Sequence, residues 1–153
     1  MGSVMCIRDR ALGECDGLFV TAADAPLLKA CRSAAVLAAT PRVRLPVLQE
    51  AQVSLDALIG SGLDPSEWVK PEQLNPAPHT LIRTEGAAGG LSLPGGRYDP
   101  APLPGPLVES YGCGDSFAAG VVAGLAARWP LAKAIALGAQ CGAACATRFG
   151  PYG

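Results

Sequence analysis

Residues 109–117 read Glu-Ser-Tyr-Gly-Cys-Gly-Asp-Ser-Phe, and the apolar run Ala118-Ala119-Gly120-Val121-Val122-Ala123-Gly124-Leu125 follows without a break. This order specifies a tight turn that feeds a helix. Gly112 and Gly114 let the backbone turn sharply and approach a ligand closely. The helix points its free N–H groups and its positive dipole end back at that turn. Such a mouth holds an anion, phosphate above all. Asp115 places a carboxylate at the same spot. A pure anion receptor has no use for it. A phosphoryl-transfer site does, because the acceptor hydroxyl needs a base beside the electrophilic phosphorus. The alternative is a glycine-rich turn with an acidic helix cap and no chemistry, since Asp near a helix start is common for dipole reasons alone.

Strand and helix patterns alternate along the chain. Residues 16–21, 34–40, 55–60 and 79–84 read as strands. Residues 22–32 read as a helix with Asp24 as its cap and Pro26 in its first turn. The segment 41–53 is ambiguous. A Ser-Gly turn at 61–62, a short helix near 65–74, a hairpin around Pro94-Gly95, and two helices near 114–128 and 131–148 are expected. Alternation of this kind predicts an α/β fold, a mostly parallel sheet with helices on both faces. Ligands in such folds sit at the carboxyl ends of the strands.

At 153 residues the chain has the size of about one domain. A formal net charge of −1 gives no footprint for nucleic acid or an anionic membrane. No apolar stretch is long and unbroken enough to span a bilayer, and no signal peptide is visible. The six cysteines (Cys6, Cys15, Cys31, Cys113, Cys141 and Cys145) include no Cys-x-x-Cys pair, and His79 has no cysteine close in sequence, so zinc has little support. The expectation is a cytoplasmic protein with reduced thiols. Arg42 and Arg44 flank Val43 and read as a solvated rim rather than an anion clamp.

Residues 109–117 resemble the C-terminal signature of the ribokinase-like (PfkB-type) carbohydrate kinases, Asp-Thr-x-Gly-Ala-Gly-Asp-x-Phe. Gly112, Gly114, Asp115 and Phe117 match, while Glu109, Ser110 and Cys113 are small departures. Asp64-Pro65-Ser66-Glu67 resembles the family's Asn-x-x-Glu motif, with Asp in place of Asn. The resemblance implies that Glu67, with Asp64, helps organise magnesium and phosphate. Magnesium keeps much of its water shell, so an indirect carboxylate contact makes physical sense. The same four residues also read as an Asp-capped helix start. Thr84-Glu85-Gly86-Ala87-Ala88-Gly89-Gly90 resembles the Thr-x-Gly-x-x-Gly loop, which implies nucleotide-phosphate contacts from Thr84, Gly86 and Gly89; an ordinary hairpin loop is the alternative. Gly142 and Ala143 resemble the family's Gly-Ala segment near the adenine, although small residues there also suit helix packing. Three motifs in the family's order are more specific than any one of them.

The resemblance implies a ribokinase-like three-layer, Rossmann-type sheet with the N-terminal part and the β lid missing. Residues 1–10 read as a non-native scar, since 5–10 looks like a translated sequencing adapter, and an ordinary N-terminus is the alternative. Residues 11–153 would be the C-terminal, nucleotide-binding part. The implied activity is ATP-dependent phosphorylation of a hydroxyl on a sugar or nucleoside. Asp115 would be the base, and Gly112, Cys113 and Gly114 would form the anion hole with it. ATP and Mg2+ are the implied cofactors, and K+ beside Glu109-Ser110 occurs in some relatives. The expected partners are a nucleotide and a sugar or nucleoside, not nucleic acid or a membrane, and a homo-oligomer is compatible. The chain as it stands is expected to bind ATP weakly, to phosphorylate no sugar and to self-associate. Two other readings stay open: a nucleotide-binding fragment or pseudoenzyme without turnover, and a structural α/β domain.

Overall fold

A computed structural model of the protein describes residues 10–149, and the expectations for residues 1–9 and 150–153 lie outside the described residues. The strands β1 (Gly17–Val20), β2 (Val36–Ala39), β3 (Ala57–Ser61) and β4 (Leu81–Thr84) pair in parallel. Antiparallel β5 (Gly90–Leu93) and β6 (Gly96–Tyr98) complete a six-stranded sheet in the order β1-β2-β3-β4-β5-β6. The register sets Gly17 opposite Val36 and Leu58 opposite Leu81. The principal helices are α1 (Ala25–Cys31), α2 (Leu45–Ala51), α3 (Cys113–Ala126) and α4 (Leu131–Ala146).

Successive residues of a strand point to opposite faces, and here both faces are buried. Leu37, Ala39, Leu58 and Leu81 pack into one cluster with Leu28 of α1 and Leu48 of α2. Ala38, Ala57, Ile59 and Ile82 pack into the other with Phe117 and Val121 of α3 and Ile135 of α4. A parallel sheet covered on both sides reads in sequence as a short continuous apolar run, as these strands do. The result is the expected sheet with helices on both faces.

Local signals set most element ends. The Asp24 side chain accepts a hydrogen bond from Leu27 N at 2.9 Å, and Pro26 stands in the first turn of α1, as predicted. The ambiguous segment resolves into a 3-10 turn, Pro41–Val43, followed by α2. Arg44 joins them at φ 77°, and Gln52 at φ 49° ends α2 in the left-handed conformation. The single short helix expected near 65–74 is instead two 3-10 turns, Pro65–Glu67 and Pro71–Gln73. Pro71 explains the break: its ring pushes the preceding Lys70 out of the helical region, to φ −91° and ψ 140°.

The β5–β6 hairpin forms as expected and is tied to α3 by Tyr98, whose ring stacks on Phe117 with centroids 5.9 Å apart. Gly17 lies where an added Cβ would come within 2.6 Å of Val122 Cγ1, so β1 and α3 approach closely. That contact helps set the start of α3 over the carboxyl ends of the parallel strands.

Candidate functional site

The carboxyl ends of β2, β3 and β4 and the start of α3 meet around a cavity of about 140 Å³. Its lining includes Thr40 and Arg42 beyond β2, Gly60 and Ser61 at the end of β3, Thr84 at the end of β4, Glu67, and Gly112, Gly114 and Asp115. Gly112 is the residue before α3 and has φ 79° and ψ −4°, a left-handed conformation that suits glycine. No side chain caps this 14-residue helix; Cys113 N donates to the Ser110 carbonyl at 3.3 Å, and the N–H groups of Gly114 and Asp115 are left to whatever enters the cavity. Beyond its own turn of helix, a Cβ at Gly114 would meet nothing within 4 Å. The space beside Gly114 belongs to the cavity.

Glu67 reaches the site because β3 is bare at Gly60. A Cβ there would lie 2.9 Å from Pro41 Cδ and 3.0 Å from Glu67 Oε2. The Glu67 carboxylate accepts from Ser61 N at 2.8 Å through that same Oε2. Asp64 is placed differently. Its Oδ1 accepts from Ser66 N at 2.9 Å and Ser66 Oγ at 2.7 Å, and these bonds lower its pKa. It caps the 3-10 turn and does not line the cavity.

Arg42 is the residue that the sequence reading set aside. Its Nη2 lies 2.5 Å from Asp115 Oδ1, across 73 positions of chain. The two side chains are 49% and 50% exposed, so the pair sits at the cavity mouth and not in the core. Thr40 Oγ1 accepts from both Arg42 N and Arg42 Nε, each at 3.4 Å. Thr40 is buried, with an exposure of 1%. Arg42 therefore faces the candidate base instead of forming a solvated rim. Its place directly beyond β2 is the sequence signal that could have marked it, because strand ends are where ligands sit in such sheets.

A second, larger groove of about 420 Å³ adjoins the first and shares Thr84 and Gly114 with it. Thr84, Gly86, Gly89, Cys113, Gly142 and Ala143 all line it, although they come from three separate segments of the sequence. Its remaining walls are mostly apolar, among them Pro100, Ala101, Leu103, Leu107 and Ala139. Sequence reasoning missed this apolar wall because residues 99–112 carry no periodic pattern. Gly86 has φ 59° and Gly89 φ 78°. A Cβ at Gly89 would run into the Tyr98 carbonyl. The 85–89 loop is pinned by Arg97, whose Nη2 lies 2.6 Å from Glu85 Oε2 and holds that carboxyl below its usual range. Burial, together with the neighbouring Cys145, pushes the Cys113 thiol up to about 11, so it remains a protonated wall of the groove at neutral pH.

The combined site is thus a polar cavity at a helix mouth, joined to a larger, mostly apolar groove. It suits a ligand with a charged end and an apolar end. Among the described residues, no cluster of three or more His, Cys, Asp or Glu could cage a metal ion. The acidic oxygens of Glu67 and Asp115 fit a hydrated magnesium ion held with phosphate, which needs few protein ligands. Among the described residues, no helix is long and apolar enough to cross a membrane.

Solved structures share this fold. The chain is similar to the nucleoside kinase of Burkholderia thailandensis, solved in complex with inosine, with a TM-score of 0.68 at 20% identity over 92% of this chain and 53% of that one. It is similar to a nucleoside kinase of Methanocaldococcus jannaschii, an archaeal member of the ribokinase family, with a TM-score of 0.67 at 18% identity over 87% and 50%. A PfkB protein from Polaromonas gives a TM-score of 0.64 at 19% identity over 95% and 57%. The architecture is therefore ribokinase-like, and the chain spans about half the length of these structures. No curated protein sequence matches it. The model of the pfkB family carbohydrate kinases matches residues 14–153, nearly the whole sequence, and the chain belongs to that family.

Proposed function

We propose that this chain carries the nucleotide-binding part of an ATP-dependent kinase that phosphorylates a hydroxyl on a sugar or nucleoside. One observation carries the reading: Asp115 stands in the first turn of an uncapped helix, where a polar cavity and an apolar groove join. The base lies in the groove against Ala139, Gly142 and Ala143. Thr84, Gly86 and Gly89 hold the phosphates along the shared rim. The terminal phosphate then meets the N–H groups of the 112–115 turn, which stabilise the charge that develops on the transferred group. Asp115 takes the proton from the acceptor hydroxyl as its oxygen attacks phosphorus. Glu67 would hold a magnesium ion through water, and that ion when bound would neutralise phosphate charge. Asp64 supports the turn that carries Glu67.

The test is calorimetric titration of ATP into the chain, together with ADP release measured with and without a panel of sugars and nucleosides. ATP binding is expected. Asp115→Asn should still bind ATP, at least as tightly as the wild type, and lower any phosphoryl transfer, to an added alcohol or to water, by about a hundredfold to ten-thousandfold. Unchanged turnover in that variant would remove Asp115 as the base. Binding without turnover would favour a nucleotide-binding module, and no binding at all would leave only the structural α/β reading.

A further inference from the structure

The ion pair between Arg42 and Asp115 is not accounted for by a base that acts alone. A guanidinium held on a carboxylate oxygen occupies the place from which a substrate hydroxyl would approach it. While Asp115 Oδ1 is held 2.5 Å from Arg42 Nη2, that oxygen already has a donor and is not open to an acceptor hydroxyl. A structural brace is also a poor explanation. Both side chains are about half exposed, and ion pairs of that kind contribute little to stability.

The anchoring of Arg42 suggests another role. Its backbone is fixed by the 3-10 turn at the end of β2, and Thr40 Oγ1 accepts from Nε on the inner side. The outer fork of the guanidinium, with Nη2 on Asp115, faces the cavity that Arg42 lines with Thr84, Gly112 and Gly114. A guanidinium presents five N–H donors in a planar fork that matches two phosphate oxygens at once. A phosphate group at the 112–115 turn would lie in this same small cavity and carry more charge than one carboxylate. It would draw the fork away from Asp115.

We propose that Arg42 is a further functional residue of this site, for whose guanidinium Asp115 and the terminal phosphate of a nucleoside triphosphate compete. Binding of that phosphate takes the fork and releases Asp115 as a proton acceptor beside the phosphorus. No bond is made or broken in this exchange; one charge-assisted contact replaces another. The inference rests on the nucleotide reading of the site and goes beyond it by assigning the terminal phosphate to one side chain.

The experiment compares ATP with ADP, because only ATP has the phosphate that would reach Arg42. Both are titrated with magnesium into the wild-type chain and into Arg42→Ala, Arg42→Lys and Asp115→Asn, with circular dichroism to confirm folding. Arg42→Ala should weaken ATP by about ten- to a hundredfold, the worth of a charged hydrogen bond, and leave ADP nearly unchanged. Arg42→Lys keeps the charge but loses the fork, and should fall between. Asp115→Asn removes the competitor and should tighten ATP without changing ADP. Equal losses for ATP and ADP in Arg42→Ala, or none, would overturn the phosphate contact. Unchanged or weakened ATP binding in Asp115→Asn would overturn the competition. If the wild-type chain binds neither nucleotide, the nucleotide reading itself fails and this inference falls with it; binding of both with no ATP preference lost in Arg42→Ala rejects the inference alone.

Discussion

Gly120 of α3 and Gly138 of α4 face each other so closely that a Cβ on Gly120 would lie 2.8 Å from the Gly138 Cα. The same Cβ would lie 3.0 Å from Cys141 Sγ. Neither helix can yield without shifting its backbone. This contact holds α3, and with it the Gly112–Asp115 mouth, at a fixed height over the strand ends. Gly120→Val should therefore destabilise the fold by about 1–3 kcal/mol, the usual range for overpacking a tight interface. Urea unfolding followed by circular dichroism reads this directly. An unchanged midpoint would mean that the helices are not so close.

A second prediction concerns the far end of the sheet. Asp56 Oδ2 accepts from Leu37 N at 2.7 Å and from Arg32 Nη1 at 2.8 Å. Arg32 also donates to the carbonyls of Ser54 and Ala34, each at 2.8 Å. One carboxylate thus links the start of β2 to the loop that follows α1. Asp56→Ala leaves a backbone donor and a guanidinium short of a partner, at a cost of about 1–3 kcal/mol. Nucleotide affinity should not change, since these residues lie outside both cavities. A drop in ATP affinity larger than the drop in stability would contradict that separation.

Gly142 tests the groove. A Cβ there would lie 3.3 Å from the Cys113 carbonyl and 3.6 Å from Phe117 Cβ, a tight but tolerable fit. Gly142→Ala should keep the fold and bind ATP nearly as well. Gly142→Leu adds three more carbons against Cys113 and Phe117, which line the groove with it, and should lower ATP affinity by tenfold or more, about 1.4 kcal/mol. Calorimetry on the two variants distinguishes them. Equal affinity for both would place the base elsewhere.

The Cys113 thiol predicts an alkaline limit to stability. Its pKa is raised from 9.0 to about 11, so the folded state holds the proton more tightly than the unfolded chain. The stabilisation is complete below pH 9.0 and is lost as the pH climbs towards about 11. Burial of the Tyr98 hydroxyl raises its pKa as well and acts in the same direction. The thermal midpoint should fall over this window, and Cys113→Ala should make the fall shallower. A variant with the same alkaline slope as the wild type would rule out Cys113 as its source.

Much of the fold is legible in the residues themselves. The short apolar runs mark the strands of a sheet buried on both faces. Asp24 and Pro26 mark the start of α1, and Pro94-Gly95 marks the hairpin. The Gly-Cys-Gly-Asp turn before an apolar helix marks the mouth of the candidate site. All of these signals act over a few neighbouring residues, through dihedral preference, capping and the alternation of faces, so the chain carries them without reference to its partners in space. Residues 65–74 show the limit: helix-start signals are present at Pro65 and again at Pro71, and the second proline prevents one helix from joining them. The tertiary structure alone decided the rest. Arg42 and Asp115 meet across 73 residues because the strand order sets the end of β2 beside the start of α3. The apolar groove exists because the irregular chain over 99–112 lies near the face of α4 that carries Ala139, Gly142 and Ala143. Such meetings depend on which elements are neighbours, and the free energy that selects those neighbours comes from burying the two faces of the sheet, not from any local motif.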